Sequence, residues 1–165
     1  MSVKKITTLS MLVSLAVIGR IYFTFIPNVQ PVTAIIIITS AIIGIRAGIT
    51  VASLTIVVSN LYIGFGIWTI PQVITFSIIA LISGVIGKFF DYKSITWLSV
   101  FGLISGYLFG FIMSLYNYII FGVFWGYYLA GITFDTNHAI GNLFMVLILY
   151  KPLKKTFEKG GFKWL

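Results

Sequence analysis

The stretch QVITFSIIALISGVIGKFF, residues 72–90, decides the fold. Its only charge is Lys88, near its end, and it approaches the roughly 20 apolar residues that a helix needs to cross a hydrocarbon core. Working outward, the pattern recurs. On its N-terminal side, Gly64-Phe65-Gly66-Ile67-Trp68-Thr69-Ile70-Pro71 breaks it from an apolar run over 47–63. Before that, a run over 32–45 ends at Gly44-Ile45-Arg46-Ala47-Gly48 and is short for a full crossing, so tilt or local thinning is expected. The first run covers about 6–26 and stops at Ile26-Pro27-Asn28, followed by the connector Val29-Gln30-Pro31. On the C-terminal side, a fifth run over 95–116 leads into an aromatic stretch through Tyr128, and a sixth over 137–150 ends in a basic tail. The sequence predicts a single transmembrane domain over residues 1–165, an all-α integral membrane protein of six transmembrane helices.

Composition excludes the rival classes. Of 165 residues, 59% are hydrophobic and 8% charged, and the mean hydropathy is +1.10. A soluble domain carries roughly 25% charged residues, so a water-facing shell, a disordered chain and a nucleic-acid reader are all excluded. The basic start and first apolar run resemble a signal peptide. No small-residue cleavage site follows, however, and Arg20 interrupts the run, which reads as a retained span. The chain has no cysteine, so disulfides and thiolate chemistry are absent.

The net charge of +8 has a topological explanation. Lys4, Lys5, Arg46, Lys88, Lys93, Lys151, Lys154, Lys155, Lys159 and Lys163 fall at one side of a six-span layout. Cytoplasmic loops hold the positive excess, so both termini are expected in the cytoplasm. The tetrapeptides Leu81-Ile82-Ser83-Gly84 and Leu103-Ile104-Ser105-Gly106 echo one another, which small residues on packed helices explain as well as duplication does.

Polar side chains are expensive in hydrocarbon, so their positions carry information. Arg20 is the one charge inside a span. Asn28, Gln30, Asn60, Trp68, Gln72, Asn117, Asp135, His138 and Asn142 fall at the same depth, in the outer half or outer loops. Asp135, His138 and Asn142 are spaced three and four apart, on one helical face. A polar cavity opening outward accounts for this one-sidedness. Other roles remain open: an Arg20–Asp135 ion pair joining spans 1 and 6, Trp and Tyr as interface anchors, His138 as a packing residue, and Asn60 and Asn142 as interhelical glue.

Catalytic machinery is missing. Gly87-Lys88 is not part of a phosphate-cradling loop, and the three acidic residues form no pair for acid/base work or for magnesium. No cofactor or metal is implied, and no enzyme activity; an intramembrane enzyme using His138 and Asp135 is the weakest alternative. A secondary transporter or channel would need a continuous polar path, which the inner halves do not offer.

Gly19-Arg20, Ile26-Pro27-Asn28-Val29-Gln30-Pro31-Val32-Thr33, Ser59-Asn60-Leu61, Gly66-Ile67-Trp68-Thr69-Ile70-Pro71-Gln72 and Phe134-Asp135-x-x-His138-Ala139-Ile140-Gly141-Asn142 resemble the substrate-binding subunits of energy-coupling factor (ECF) transporters. The branch resembled is closest to cobalamin and hydroxymethylpyrimidine-type subunits, with pyridoxine subunits near. The resemblance implies a membrane subunit that captures a vitamin from outside and topples to release it inside. It also implies work with a transmembrane coupling protein and two cytoplasmic ATPases, in a bacterial plasma membrane. Partner contact is implied at Ser10 and Ser14, which stand where the family usually shows alanine.

Overall fold

The computed structural model describes residues 3–90 and 94–161; Lys93 and Lys163 of the charge census lie outside them. Six α-helices make up the bundle: α1 (Val3–Tyr22), α2 (Val32–Ile43), α3 (Ile45–Ile63), α4 (Thr69–Phe89), α5 (Ile95–Phe121) and α6 (Trp125–Lys159), with a short 3-10 turn at Phe23–Phe25. No strand occurs among the described residues. Five of the helices are long and apolar enough to cross a membrane, and α2 is the shorter apolar exception.

The chain chemistry explains the breaks. Ile26, which precedes Pro27, is extended (φ −113°, ψ 110°), because a proline ring disfavours helical geometry in the residue before it. Asn28 then takes φ 60°, a left-handed conformation that asparagine tolerates better than most residues. Gly44 is the single residue between α2 and α3. Its φ of 122° and ψ of 162° lie in a region essentially reserved for glycine, which permits the abrupt reversal.

The short helix α2 is the centre of the protein. At 1.5 Å per residue it is only about 18 Å long, and it packs against every other helix. All of its residues except Ile42 are buried, and none is among the large exposed apolar side chains that the five long helices present. The tilt or thinning expected of a short span is therefore not required, because protein rather than lipid surrounds it. Its four consecutive isoleucines, Ile35 to Ile38, are fully buried and form the core with Ile56, Phe76 and Ile79.

Helices α5 and α6 form the closest pair, and glycine makes that possible. A Cβ at Gly102 would press on the Asn142 backbone, one at Gly106 would collide with the Ala139 backbone, and one at Gly110 would overlap the Asp135 carboxylate. Glycines spaced four apart let two membrane helices approach backbone to backbone. The tetrapeptide echo has the same explanation: Gly84 faces Ile45 and Ser40 as Gly106 faces Ala139. Ser83 and Ser105 donate back to carbonyls of their own helices, at 2.6 and 2.7 Å.

Helix α6 overruns the 137–150 stretch at both ends. Its aromatic first turns read as a connector by hydropathy, yet they pair with the extended end of α5. At the other end Pro152 lies inside the helix. The helix continues because Tyr150, Leu153 and Phe157 are buried on one face while Lys151 and Lys155 are exposed and the half-buried Lys154 lies over the Tyr150 ring, an amphipathic pattern rather than an apolar one.

Candidate ligand-binding site

Where α1, α3 and α5 end and α4 and α6 begin, the connectors are drawn together by hydrogen bonds. Asn28 Nδ2 donates to the Phe134 carbonyl at 3.3 Å, which seats the α1–α2 connector on α6, and Val29 lies against Gly141. The Tyr116 hydroxyl donates to the Ile67 carbonyl at 3.1 Å, tying α5 to the α3–α4 connector. Beneath them lies a cavity of about 540 Å³, at the opposite end of the bundle from Lys4, Lys5, Arg46, Lys88 and the basic end of α6.

Among the sequence-predicted residues, Asn28, Trp68, Gln72 and Asp135 line this cavity. The Asp135 carboxylate is the most informative group. The residue is 5% exposed, and its carboxylate has no hydrogen-bond or ion-pair partner among the described residues. It is held beside Gly110 of α5 and one turn from Gly131. An ionised carboxylate away from bulk water is costly unless a donor or cation meets it, and the open side of this one faces the cavity.

Arg20 does not meet it. Helix α1 packs on α2 and α3 and not on α6, so the Arg20–Asp135 ion pair allowed by the sequence does not form. Arg20 Nη1 instead donates to Ser59 Oγ at 2.6 Å and Nη2 to Gln72 Oε1 at 3.4 Å. It lies in the last turn of α1, where the helix dipole favours a cation. Asn60 joins the same network, its Nδ2 donating to Thr69 Oγ1 and to Gln72 Oε1, each at 2.9 Å. Arg20 and Asn60 thus sit behind the lining and grip a residue that belongs to it.

The remaining residues are placed elsewhere. His138 is buried and shares a 2.9 Å hydrogen bond with Thr33 Oγ1 through Nε2, while its Nδ1 has no partner. Its ring stands edge-on to Phe109, a lining residue, so it backs the cavity wall. Asn142 is buried one turn further along and donates to Ser105 Oγ at 3.3 Å, joining α6 to α5. Asn117 donates to the Val123 carbonyl at 2.6 Å and holds the α5–α6 turn. Gln30 is half-buried in its connector, outside the lining. Ser10 and Ser14 are exposed on α1, among the lipid-facing side chains Met11, Leu15 and Ile18.

Sequence reasoning missed the apolar half of the lining, chiefly Phe109 and Met113 of α5 and Phe134 of α6. In a chain this apolar they are indistinguishable from lipid-facing residues. The signal that was present is the glycine spacing on α5, which marks the face turned towards α6. Tyr127 also lines the cavity, whereas Trp125 and Tyr128 cluster with Phe124 outside it, as interface anchors do.

Fold and site together define a multi-pass membrane protein with a ligand-sized recess, lined by polar and apolar side chains, at one end. The chain belongs to the family of ECF transporter substrate-specific components, which it matches over residues 4–159. This is a family of transporter subunits, not of enzymes, and its members work with an ECF module. No curated protein and no solved structure matches the chain.

Proposed function

We propose that the chain captures a small heterocyclic vitamin or vitamin precursor in the cavity between α4, α5 and α6, for delivery into the cell by an ECF module. The observation that carries this reading is the partnerless Asp135 carboxylate in a cavity of about 540 Å³. Small-molecule sites are concave and mostly apolar, with a few polar groups that orient the ligand. Here Phe109, Met113, Phe134 and Trp68 provide the apolar and stacking surface, Asp135 the acceptor, and Asn28 and Gln72 the amides.

The cavity volume supports a choice among the vitamins that the family resemblance leaves open. A recess of this volume suits a one-ring molecule such as hydroxymethylpyrimidine or pyridoxine. A cobalamin, with its corrin macrocycle and nucleotide arm, would extend well beyond it, which favours the smaller ring. Asp135 further favours a ligand that brings N–H donors or a positive charge.

The basic residues at the end opposite the cavity support an outward-facing site, since positive charge marks the cytoplasmic side. ATP-driven release would then come from the coupling protein and two ATPases, with Ser10 and Ser14 on the exposed face of α1 as a contact.

Reconstitution in vesicles tests this. The chain alone is expected to bind labelled hydroxymethylpyrimidine or pyridoxine without accumulating it, and to support accumulation once an ECF module and ATP are present. Accumulation by the chain alone, without ATP, would overturn the reading in favour of a secondary transporter.

A further inference from the structure

Arg20 is a buried cation whose partners among the described residues are all neutral, and it is not among the residues that line the cavity. Guanidinium only donates hydrogen bonds, so the atom that Gln72 offers it must be the amide oxygen. Asn60 Nδ2 approaches that same oxygen at 2.9 Å. The directions are consistent along the whole chain of groups. Ser59 Oγ accepts from Arg20 and donates its own O–H to the Ile56 carbonyl at 3.3 Å. Thr69 Oγ1 accepts from Asn60 and also from the Gly66 backbone N–H at 3.4 Å. Gln72 Oε1 is therefore saturated from behind the wall. Its Nε2 has no partner among the described residues, and Gln72 lines the cavity.

We infer that Arg20 is a positioning residue that fixes the polarity of the cavity: it locks the Gln72 amide with its oxygen turned away and its NH₂ presented to the ligand. An amide free to flip would accept or donate with equal ease; this one only donates. Through the low-dielectric interior the guanidinium also polarises the amide, which strengthens that donor. The two walls then make opposite demands. Against α4 the ligand must present an acceptor, a ring nitrogen or carbonyl oxygen. Against α6 and Asp135 it must present a donor or a cation. A molecule that offers acceptors to both walls leaves the Asp135 carboxylate unpaired, and one that offers donors to both leaves two donors opposed at Gln72. The substrate-class part of this inference rests on the binding function proposed above; the amide lock itself does not.

The chain has two glutamines, Gln30 and Gln72, so ¹⁵N-glutamine labelling reports the Gln72 side-chain amide directly, with Gln30 as internal reference. In Arg20→Met only Asn60, whose own amide can turn, still meets Gln72 Oε1, so the Gln72 amide signals are expected to shift and broaden, and in Arg20→Lys to return most of the way. Gln30 should be unaffected in both. Binding is read in parallel, with hydroxymethylpyrimidine and pyridoxine as probes. Arg20→Met is expected to weaken the probe that the unaltered protein binds by about tenfold, the scale of one hydrogen bond to or through a charged group.

Gln72→Glu covers the case in which Arg20→Met fails to fold. A carboxylate still accepts from Arg20 and Asn60 but offers the ligand no N–H, so a folded protein with about tenfold weaker binding is expected. Gln72 amide signals unchanged in Arg20→Met, or full affinity in Gln72→Glu, would overturn the inference. If the unaltered protein binds neither probe while the Gln72 signals respond to Arg20 as described, the lock stands and the vitamin reading fails.

Discussion

Asp135→Asn is expected to lose ligand affinity by roughly thirty- to a thousand-fold, about 2–4 kcal/mol, the cost of removing one partner of a buried charge-assisted contact. The substitution is nearly isosteric, so the cavity keeps its shape. Its effect on the ligand-free protein should have the opposite sign. Among the described residues the Asp135 carboxylate meets no donor or cation at 5% exposure, and partial desolvation of a charge without a partner disfavours the empty protein. Asp135→Asn removes that penalty, and the thermal unfolding midpoint in detergent should hold or rise. Calorimetric titration and thermal unfolding of the same preparation check both halves. A residue that served only the fold would give the reverse pattern, lower stability with unchanged affinity.

Gly106→Val is expected to cost about 3 kcal/mol or more of stability, at the upper end of overpacking effects. A Cβ at this position meets the N and Cα atoms of Ala139, and backbone inside a helix cannot step aside as a flexible side chain can. Separation of α5 from α6 would also widen the cavity between Gly110 and Asp135, so ligand binding should disappear along with stability. Gly126→Ala is the control. It lies in the first turn of α6, where an added Cβ meets only a Val123 methyl at 3.3 Å, and a change within about 0.5 kcal/mol is expected. Denaturation in a fixed detergent separates the two variants. Equal stability of both would mean that the glycine spacing on α5 does not set the packing.

The helices were legible because a lipid-facing surface forces long apolar runs, and charge and proline mark where those runs stop. The ends of α6 were not. Trp125 to Tyr128 are helical although their chemistry suits an interface, and Pro152 sits in a turn that Leu153 and Phe157 dock by amphipathic spacing. Helix α2 was legible as a short run, but not as the centre of the bundle. A lipid-facing residue and a core residue are equally apolar, so hydropathy alone does not tell enclosure from exposure.

For the candidate site, the one-sided distribution of amides and charges pointed to the end of the bundle where the cavity lies. Asp135, Gln72, Asn28 and Trp68 emerged because polar or amphipathic groups stand out against an apolar background. Which of them meet one another depended on helix adjacency, and one-dimensional reasoning has no access to it. Arg20 and Asp135 form the obvious pair by charge, yet α1 and α6 do not pack together. Ser59 and Gln72 are the guanidinium's actual partners, and neither is acidic. Phe109, Met113 and Phe134 were invisible for the same reason as the centrality of α2.

The cavity at the outer end of α4, α5 and α6 is proposed to bind a small polar heterocycle with high affinity. The most direct test is calorimetry on the purified, ligand-stripped protein, titrated in turn with hydroxymethylpyrimidine, pyridoxine and cobalamin. One-to-one binding of a one-ring compound at micromolar or tighter affinity is expected, weakened roughly thirty- to a thousand-fold by Asp135→Asn, with no binding of cobalamin. Tight binding of cobalamin, or an affinity for the small ring that Asp135→Asn leaves unchanged, would contradict the proposal.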